Sequence, residues 1–140
     1  MGKFTITDLQ NVAKQIKNPP PCDDTMQVKV TQAEDGVAHG IWEVDHKFIN
    51  GNGVVMGGFV TAAVDIMMAY AIASKLTDEE GFASIDIDTT FHRPTLEGQV
   101  DITATVERRG KTICYVTGEV RQNDKLIANC VSSILISQRK

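Results

Sequence analysis

The stretch from Gly57 to Ser74 carries a single charge, Asp65, among residues that are otherwise Gly, Ala, Thr, Ser or larger apolar side chains. A carboxylate taken out of water costs several kcal/mol unless it is paired, hydrogen-bonded or protonated, so its presence calls for structural satisfaction or chemistry. As a functional group Asp65 would act as general base to an attacking water, or as nucleophile through a mixed anhydride. Desolvation raises its pKa and nearby N–H donors lower it, and activity that needs the ionised form is lost on the acid side of the pH profile. Upstream, Gly57 and Gly58 open the same run. A glycine pair at a helix start presents bare N–H donors together with the positive end of the macrodipole, an arrangement that polarises a carbonyl oxygen. Gly57 is the candidate donor, and the missing side chains let an acyl group approach the backbone. A plain glycine turn would look the same at these two positions; the combination with Asn50 and Asp65 favours chemistry. The amide of Asn50 could orient water or a carbonyl oxygen, while the structural alternative is an Asn in an Asn-Gly turn.

These residues need a scaffold. Apolar residues occur on every side of the run (Phe59, Val60, Val64, Ile66, Met67, Met68, Tyr70, Ile72), so it reads as a buried helix that other structure must wrap. It is at the short limit for a membrane span, opens with two glycines and has a charge at its centre, which argues against a span. Asp65 shares a stripe with Gly58, Thr61, Ala62 and Ala69, a small-residue face open to a partner chain or a slender ligand. Six segments read as strands: Met26 to Ala33, Val37 to His46, Phe82 to His92, Gln99 to Arg108, Thr112 to Gln122 and Leu126 to Ser137. Glu34-Asp35-Gly36 turns the first pair, and Asn50-Gly51-Asn52-Gly53 is a loop. Thr7 and Gln10 match a capping box, with Leu9, Val12, Ala13 and Ile16 at helical spacing before Pro19, Pro20 and Pro21 end the segment. The expected architecture is α+β: one long helix wrapped by a curved antiparallel sheet of five or six strands, with a short N-terminal helix. It is expected to be one domain over 1–140, of which 1–24 form the N-terminal helix and Pro-rich connection.

A net charge of -4 with interspersed signs gives no basic stripe, so nucleic acid is not an expected partner. Lys3, Asp8, Lys14 and Lys17 interrupt the N-terminus, which has no signal-peptide core, and a cytoplasmic location is expected. Cys22, Cys114 and Cys130 are odd in number and widely spaced, which fits reduced thiols, with Cys114 and Cys130 as small apolar strand residues. His39, His46 and His92 are too scattered for a metal site, and no metal or prosthetic group is expected. No serine-hydrolase elbow, phosphate-binding loop or dinucleotide fingerprint occurs.

The segment Asn50-x-x-Gly53-x-x-Met56-Gly57-Gly58, followed by Asp65, closely resembles the active-site signature of hotdog-fold acyl-CoA thioesterases of the phenylacetate-type branch, in the 4-hydroxybenzoyl-CoA thioesterase superfamily. Ser84 begins a strand ending Phe91-His92-Arg93-Pro94 that is similar to that family's strand with its terminal Arg-Pro, and Arg109-Gly110-Lys111-Thr112 is similar to its basic hairpin. The resemblance runs from about Val37 to the C-terminus. It implies a hotdog fold, hydrolysis of acyl-CoA to acid and coenzyme A, and a homodimer or homotetramer with sites at the dimer interface. One chain would give the Asn50 loop and Gly57, the other Asp65 and an assisting Ser84, whose structural alternative is a solvent-facing strand serine. Met56 and Gly58 would border substrate. Arg109, Gly110, Lys111 and Thr112 would meet the coenzyme A phosphates, although a merely solvated hairpin carries the same charges. The family commonly has His where this chain has Met56, which can neither hydrogen-bond nor transfer protons as imidazole does. Two rivals follow: a silent hotdog acyl-CoA-binding protein, supported by Met56 and opposed by Asp65, and an acyl-thioester hydratase or dehydratase, opposed by the lack of histidine near Gly57.

Overall fold

The computed structural model describes residues 3–138. Three helices and six strands run in the order α1 (Ile6–Ala13), α2 (Pro21–Met26), β1 (Val28–Glu34), β2 (Val37–Val44), α3 (Gly57–Ala73), β3 (Glu80–Phe91), β4 (Gly98–Arg109), β5 (Ile113–Gln122) and β6 (Lys125–Gln138), with a 3-10 turn at His46–Phe48. All strand pairs are antiparallel, in the order β1-β2-β4-β5-β6-β3, so the sheet's free edges are β1 and β3. The curved sheet wraps α3, as the alternation in the strands and the all-round apolarity of the helix require.

The seat for α3 is a row of small residues. Directly paired across all six strands stand Ala33, Ala38, Ala104, Gly118, Cys130 and Thr89. A Cβ on Gly118 would lie 2.5 Å from Val64 Cγ1 and 3.3 Å from Met68 Cε, and a Cβ on Gly40 would overlap Met67, so the helix rests against glycine backbone. Hairpin geometry keeps these strands in register. Asp35-Gly36 and Asn123-Asp124 both have positive φ, the conformation two-residue hairpin turns demand.

The N-terminal segment is tied to the far end of α3. Its capping box is Thr5 with Asp8, one side chain bonding the other's backbone N–H at 3.0 and 2.9 Å, and not Thr7 with Gln10. Those two residues are used at longer range. Thr7 bonds Asp78 through both its N–H and its hydroxyl, and Gln10 Nε2 donates to the carbonyls of Ala73 and Leu76, satisfying acceptors that a helix end leaves open. Pro21 does not simply terminate the segment; it occupies the first turn of α2, where a missing N–H costs nothing. From α2, Asp23 is buried at 2% exposure and accepts a 2.5 Å hydrogen bond from the Tyr70 hydroxyl of α3.

The glycine seat makes a direct prediction. Gly118→Ala forces a methyl group against Val64 with no solvent side to yield to, and is expected to lower unfolding free energy by about 1–3 kcal/mol, measured by urea denaturation. An unchanged midpoint would show that α3 does not rest on Gly118.

Candidate active site

A short loop delivers the chain to the start of α3. Trp42, Phe48 and Phe59 pack in series, the first pair tilted and the second edge-to-face, with ring centroids 5.5 and 5.0 Å apart, which fixes the 3-10 turn beneath the loop. Ile49 bridges Val55, the Met56 N–H donates to Phe48 O at 2.9 Å, and the Val55 N–H donates to Thr95 O at 3.0 Å. Within the loop, Asn50 Oδ1 accepts from the N–H groups of Asn52 at 2.9 Å and Val54 at 3.4 Å. The side-chain oxygen of Asn50 is therefore used in its own turn, and its NH2 group has no hydrogen-bond partner among the described residues.

The helix that follows starts without a cap. Met56 occupies the N-cap position and makes no side-chain bond, while its carbonyl accepts from Phe59 and Val60. The N–H groups of Gly57 and Gly58, first and second in the helix, have no partner within it by geometry. Gly57 borders an open cavity of about 380 Å³ together with Val54, Val55, Val60, Phe91 and Pro94, and with the polar side chains of His92, Arg93 and Thr95. One histidine, His92, is on this lining, with its Nε2 2.5 Å from Asn129 Oδ1.

Along α3 the only positions not fully buried between Gly57 and Ala73 are Gly57, Gly58, Phe59, Thr61, Ala62, Asp65 and Ala69. Apart from the terminal Gly57 and Phe59, these are the stripe expected from helical spacing. Asp65 is open to solvent in the single chain and has no hydrogen-bond partner among the described residues, yet enough protein surrounds it that desolvation raises its carboxyl pKa. One turn earlier, Thr61 Oγ1 is 2.8 Å from Thr89 Oγ1, which is 3.0 Å from Cys130 Sγ. Burial, and secondarily the Asp65 charge, push the Cys130 thiol upward, while its bond to Thr89 acts the other way. This chain of polar side chains fastens α3 to edge strand β3 beside Asp65. It was not foreseen from sequence, since Thr61 and Thr89 meet only through tertiary register; a threonine on the apolar face of a strand was the available signal.

Gly57 and Asp65 do not meet in one chain. Eight residues of helix separate them, about 12 Å along the axis, beyond the reach of a single carbonyl group. Ser84 lies exposed on β3 at a bulge, and its hydroxyl makes no hydrogen bond among the described residues. The bulge itself is held by Asp86, whose Oδ1 accepts from the Ser133 N–H at 2.9 Å. A second cavity, of about 580 Å³, is lined by Arg108, Gly110, Lys111, Thr112, Ile113 and Tyr115, with Ser133. Three of the four hairpin residues singled out from sequence are thus on one wall, and Arg109 is not. Its guanidinium is committed to Glu80 at 2.8 Å and to the carbonyls of Gly110 and Lys111, which makes it a clamp on the turn and leaves Arg108 and Lys111 as the cations at the cavity. Among the described residues no group of three or more His, Cys, Asp or Glu could hold a metal ion.

The family model of the thioesterase superfamily matches residues 52–128. A protein of Saccharolobus solfataricus, provisionally named an esterase, is 30% identical over 118 residues, 82% of each chain. One of Caenorhabditis elegans with the same kind of name is 30% identical over 80 residues, 56% of this chain and 47% of its own, so the match spans about half of that relative. Among solved structures, a provisional thioesterase of Ralstonia eutropha JMP134, described as related to phenylacetic acid degradation, superimposes with a TM-score of 0.84 at 25% identity, covering 91% of this chain and 98% of that one. The PaaI protein of the E. coli phenylacetic acid degradation operon gives 0.75 at 22% identity over 81% and 86% of the two chains, and carries the fold alone. The fold is the hotdog.

A raised carboxyl pKa has a definite sign. Below the ordinary value of about 3.9 Asp65 is neutral folded or unfolded; above it, charging costs the folded state more than the unfolded. Asp65→Asn is therefore expected to raise the melting temperature at neutral pH, and the gap should close as pH falls below that value. A melting temperature lowered by the substitution at pH 7 would show that Asp65 is a structural anchor.

Proposed function

The chain belongs to the thioesterase superfamily, and on that premise we propose that it hydrolyses acyl-CoA thioesters to a free acid and coenzyme A. Uncapped N–H donors at Gly57 and Gly58, on the same helix as an Asp65 that has no partner among the described residues and a raised carboxyl pKa, are the observation that carries this reading. The thioester oxygen accepts from the Gly57 N–H, where the helix dipole favours the negative charge that grows as water attacks. Asp65 takes the proton from that water as its oxygen bonds to the carbonyl carbon. Collapse of the tetrahedral intermediate breaks the carbon–sulfur bond, restores the carbonyl and releases the thiolate, to which Asp65 returns the proton. General base action suits a carboxylate with no partner and a raised pKa. The cavity bordered by Lys111 and Arg108 supplies positive charge for the coenzyme A phosphates. Asn50, through its free NH2 group, orients the thioester or the water, and Ser84 assists Asp65.

The separation of Gly57 from Asp65 supports reading this as a two-chain site. Gly57 and the Asn50 loop of one subunit face Asp65 and Ser84 of another, in a homodimer or homotetramer formed along the free edge of β3. No helix among the described residues is long and apolar enough to cross a membrane, and reduced Cys114 and Cys130 in the core agree with work in the cytoplasm.

Release of free thiol from short, long and aromatic acyl-CoAs tests the activity. Asp65→Ala is expected to lower turnover by about 10²- to 10⁴-fold. If the wild type binds acyl-CoA and releases no more thiol than the variant, the protein is a silent acyl-CoA binder, the reading that Met56 favours. The two-chain site has its own test. Co-expressed Asp65→Ala and Gly57→Val subunits pair so that one site in a mixed dimer is intact, and are expected to show activity that neither variant has alone. Failure of the mixture to regain turnover would place the whole site in one chain. Wild-type activity, if it depends on ionised Asp65, should fall on the acid side with a midpoint above about 3.9, read from kcat/KM against pH.

A further inference from the structure

The two glycine amides are bordered by unlike apolar side chains. A Cβ added at Gly57 would lie 2.8 Å from Phe91 Cζ and 3.3 Å from both Phe91 Cε atoms, so the tip of the ring points end-on at the Gly57 backbone. A Cβ at Gly58 would lie 3.5 Å from Met56 Cε, an ordinary contact. Phe91 is 51% exposed and Met56 45% exposed, so neither is spent on the core. They differ in stiffness. The backbone just past Phe91 is pinned where the N–H groups of His92 and Arg93 both donate to Ile127 O, at 2.7 and 3.1 Å, and the Phe91 ring has only two torsions. Met56 is an unbranched thioether that adapts to its neighbour.

We propose that Phe91 is the specificity-determining residue of this site, a rigid wall beside the carbonyl-binding amide that restricts the enzyme to acyl groups unbranched at carbon 2. The proposal rests on the hydrolase reading above and deepens it. A carbonyl oxygen held by the Gly57 N–H brings the adjoining acyl carbon within van der Waals reach of whatever touches the Gly57 backbone, and that is the Phe91 ring. The acyl group runs into this side because Val54, Val55, Val60, Pro94 and the Phe91 ring make an apolar wall next to Gly57, with His92, Arg93 and Thr95 as the polar part of the lining, while the cavity at the hairpin has two cations, Arg108 and Lys111, for phosphate. A methylene chain passes between the ring and the pliable Met56. A methyl branch at carbon 2 points into the ring, which must then swing off Gly57 and away from the position its strand fixes. At about 380 Å³ the cavity is near the lower end of ligand pockets, which fits a short acyl chain.

Matched pairs of straight and branched thioesters test this: butyryl-CoA against 2-methylpropanoyl-CoA, and octanoyl-CoA against 2-methyloctanoyl-CoA, with kcat/KM from thiol release. The wild type is expected to favour the straight member by at least about tenfold, the scale on which one methyl group is discriminated in an apolar site. Phe91→Ala should bring the ratio to within a few-fold by improving the branched substrate, and Phe91→Leu should fall between. The leucine variant keeps a side chain of similar reach and serves if the alanine variant fails to fold. A wild type that hydrolyses both members equally, or a preference unchanged in the folded variants, overturns the assignment while leaving the hydrolase reading intact. Absence of thiol release from every ester by the wild type overturns both.

Discussion

The close approach of α3 to the sheet is the constraint on which the rest depends. A row of Ala33, Ala38, Ala104, Gly118, Cys130 and Thr89 crosses all six strands at paired positions, and glycines at 40 and 118 remove the side chains that would hold the helix away. A helix set this deep is wrapped on nearly every side, which explains why its sequence has almost no amphipathic asymmetry. It also decides where chemistry can occur, because one narrow stripe, bearing Gly58, Thr61, Ala62, Asp65 and Ala69, stays clear of the core. The small side chains on that stripe keep it accessible. Thr89, at the sheet's edge end of the row, bonds Thr61 and so registers β3 against the stripe.

Two carboxylates contact this helix or stand on it, and their surroundings separate structure from chemistry. Burial raises the pKa of both Asp23 and Asp65. Asp23, at 2% exposure, is met by the Tyr70 hydroxyl and the Cys22 thiol, the partners that a buried acid needs to stay folded. Asp65 has neither. The same contrast divides the ends of α3: its C-terminal carbonyls are bonded by Gln10 and Ser74, whereas its first two amides are left open. Unsatisfied groups thus collect at one end and on one face, and the strongly packed opposite side offsets their cost. That distribution is expected of a surface shaped for a ligand or second subunit.

What could be read from sequence was whatever depends on local period. Alternation gave the strands, all-round apolarity gave the buried helix, and spacing gave the stripe around Asp65, because each follows from neighbours within two turns. Thr7 and Gln10 match a capping pattern, but tertiary partners at Asp78, Ala73 and Leu76 engage them and the box forms at Thr5 and Asp8. Arg109 read as a phosphate ligand from its place on a basic turn, and Glu80, twenty-nine positions away, claims it. Phe91 and Thr89 matter through the register of β3 against α3, which no local pattern encodes. The turn reading of Asn50 is met by its side-chain oxygen, which bonds the loop, and the NH2 group makes no bond among the described residues.

Met56 can be understood from the position it occupies. An N-cap Ser, Thr, Asp or Asn would contribute about 1 kcal/mol by accepting from the amides two or three positions on. Such a cap would also compete with a substrate oxygen for donors of the first turn. Methionine cannot accept in this way, so the helix forgoes the cap and keeps its first amides available, with the dipole undiminished at that end. The side chain instead adds apolar surface next to Gly58, opposite the Phe91 ring. Where an imidazole would contribute a hydrogen bond, this chain contributes shape, and in the proposed reaction no side chain at this position helps the Gly57 amide to polarise the carbonyl. The proposal then assigns proton transfer to Asp65, the sole ionisable side chain on the exposed stripe.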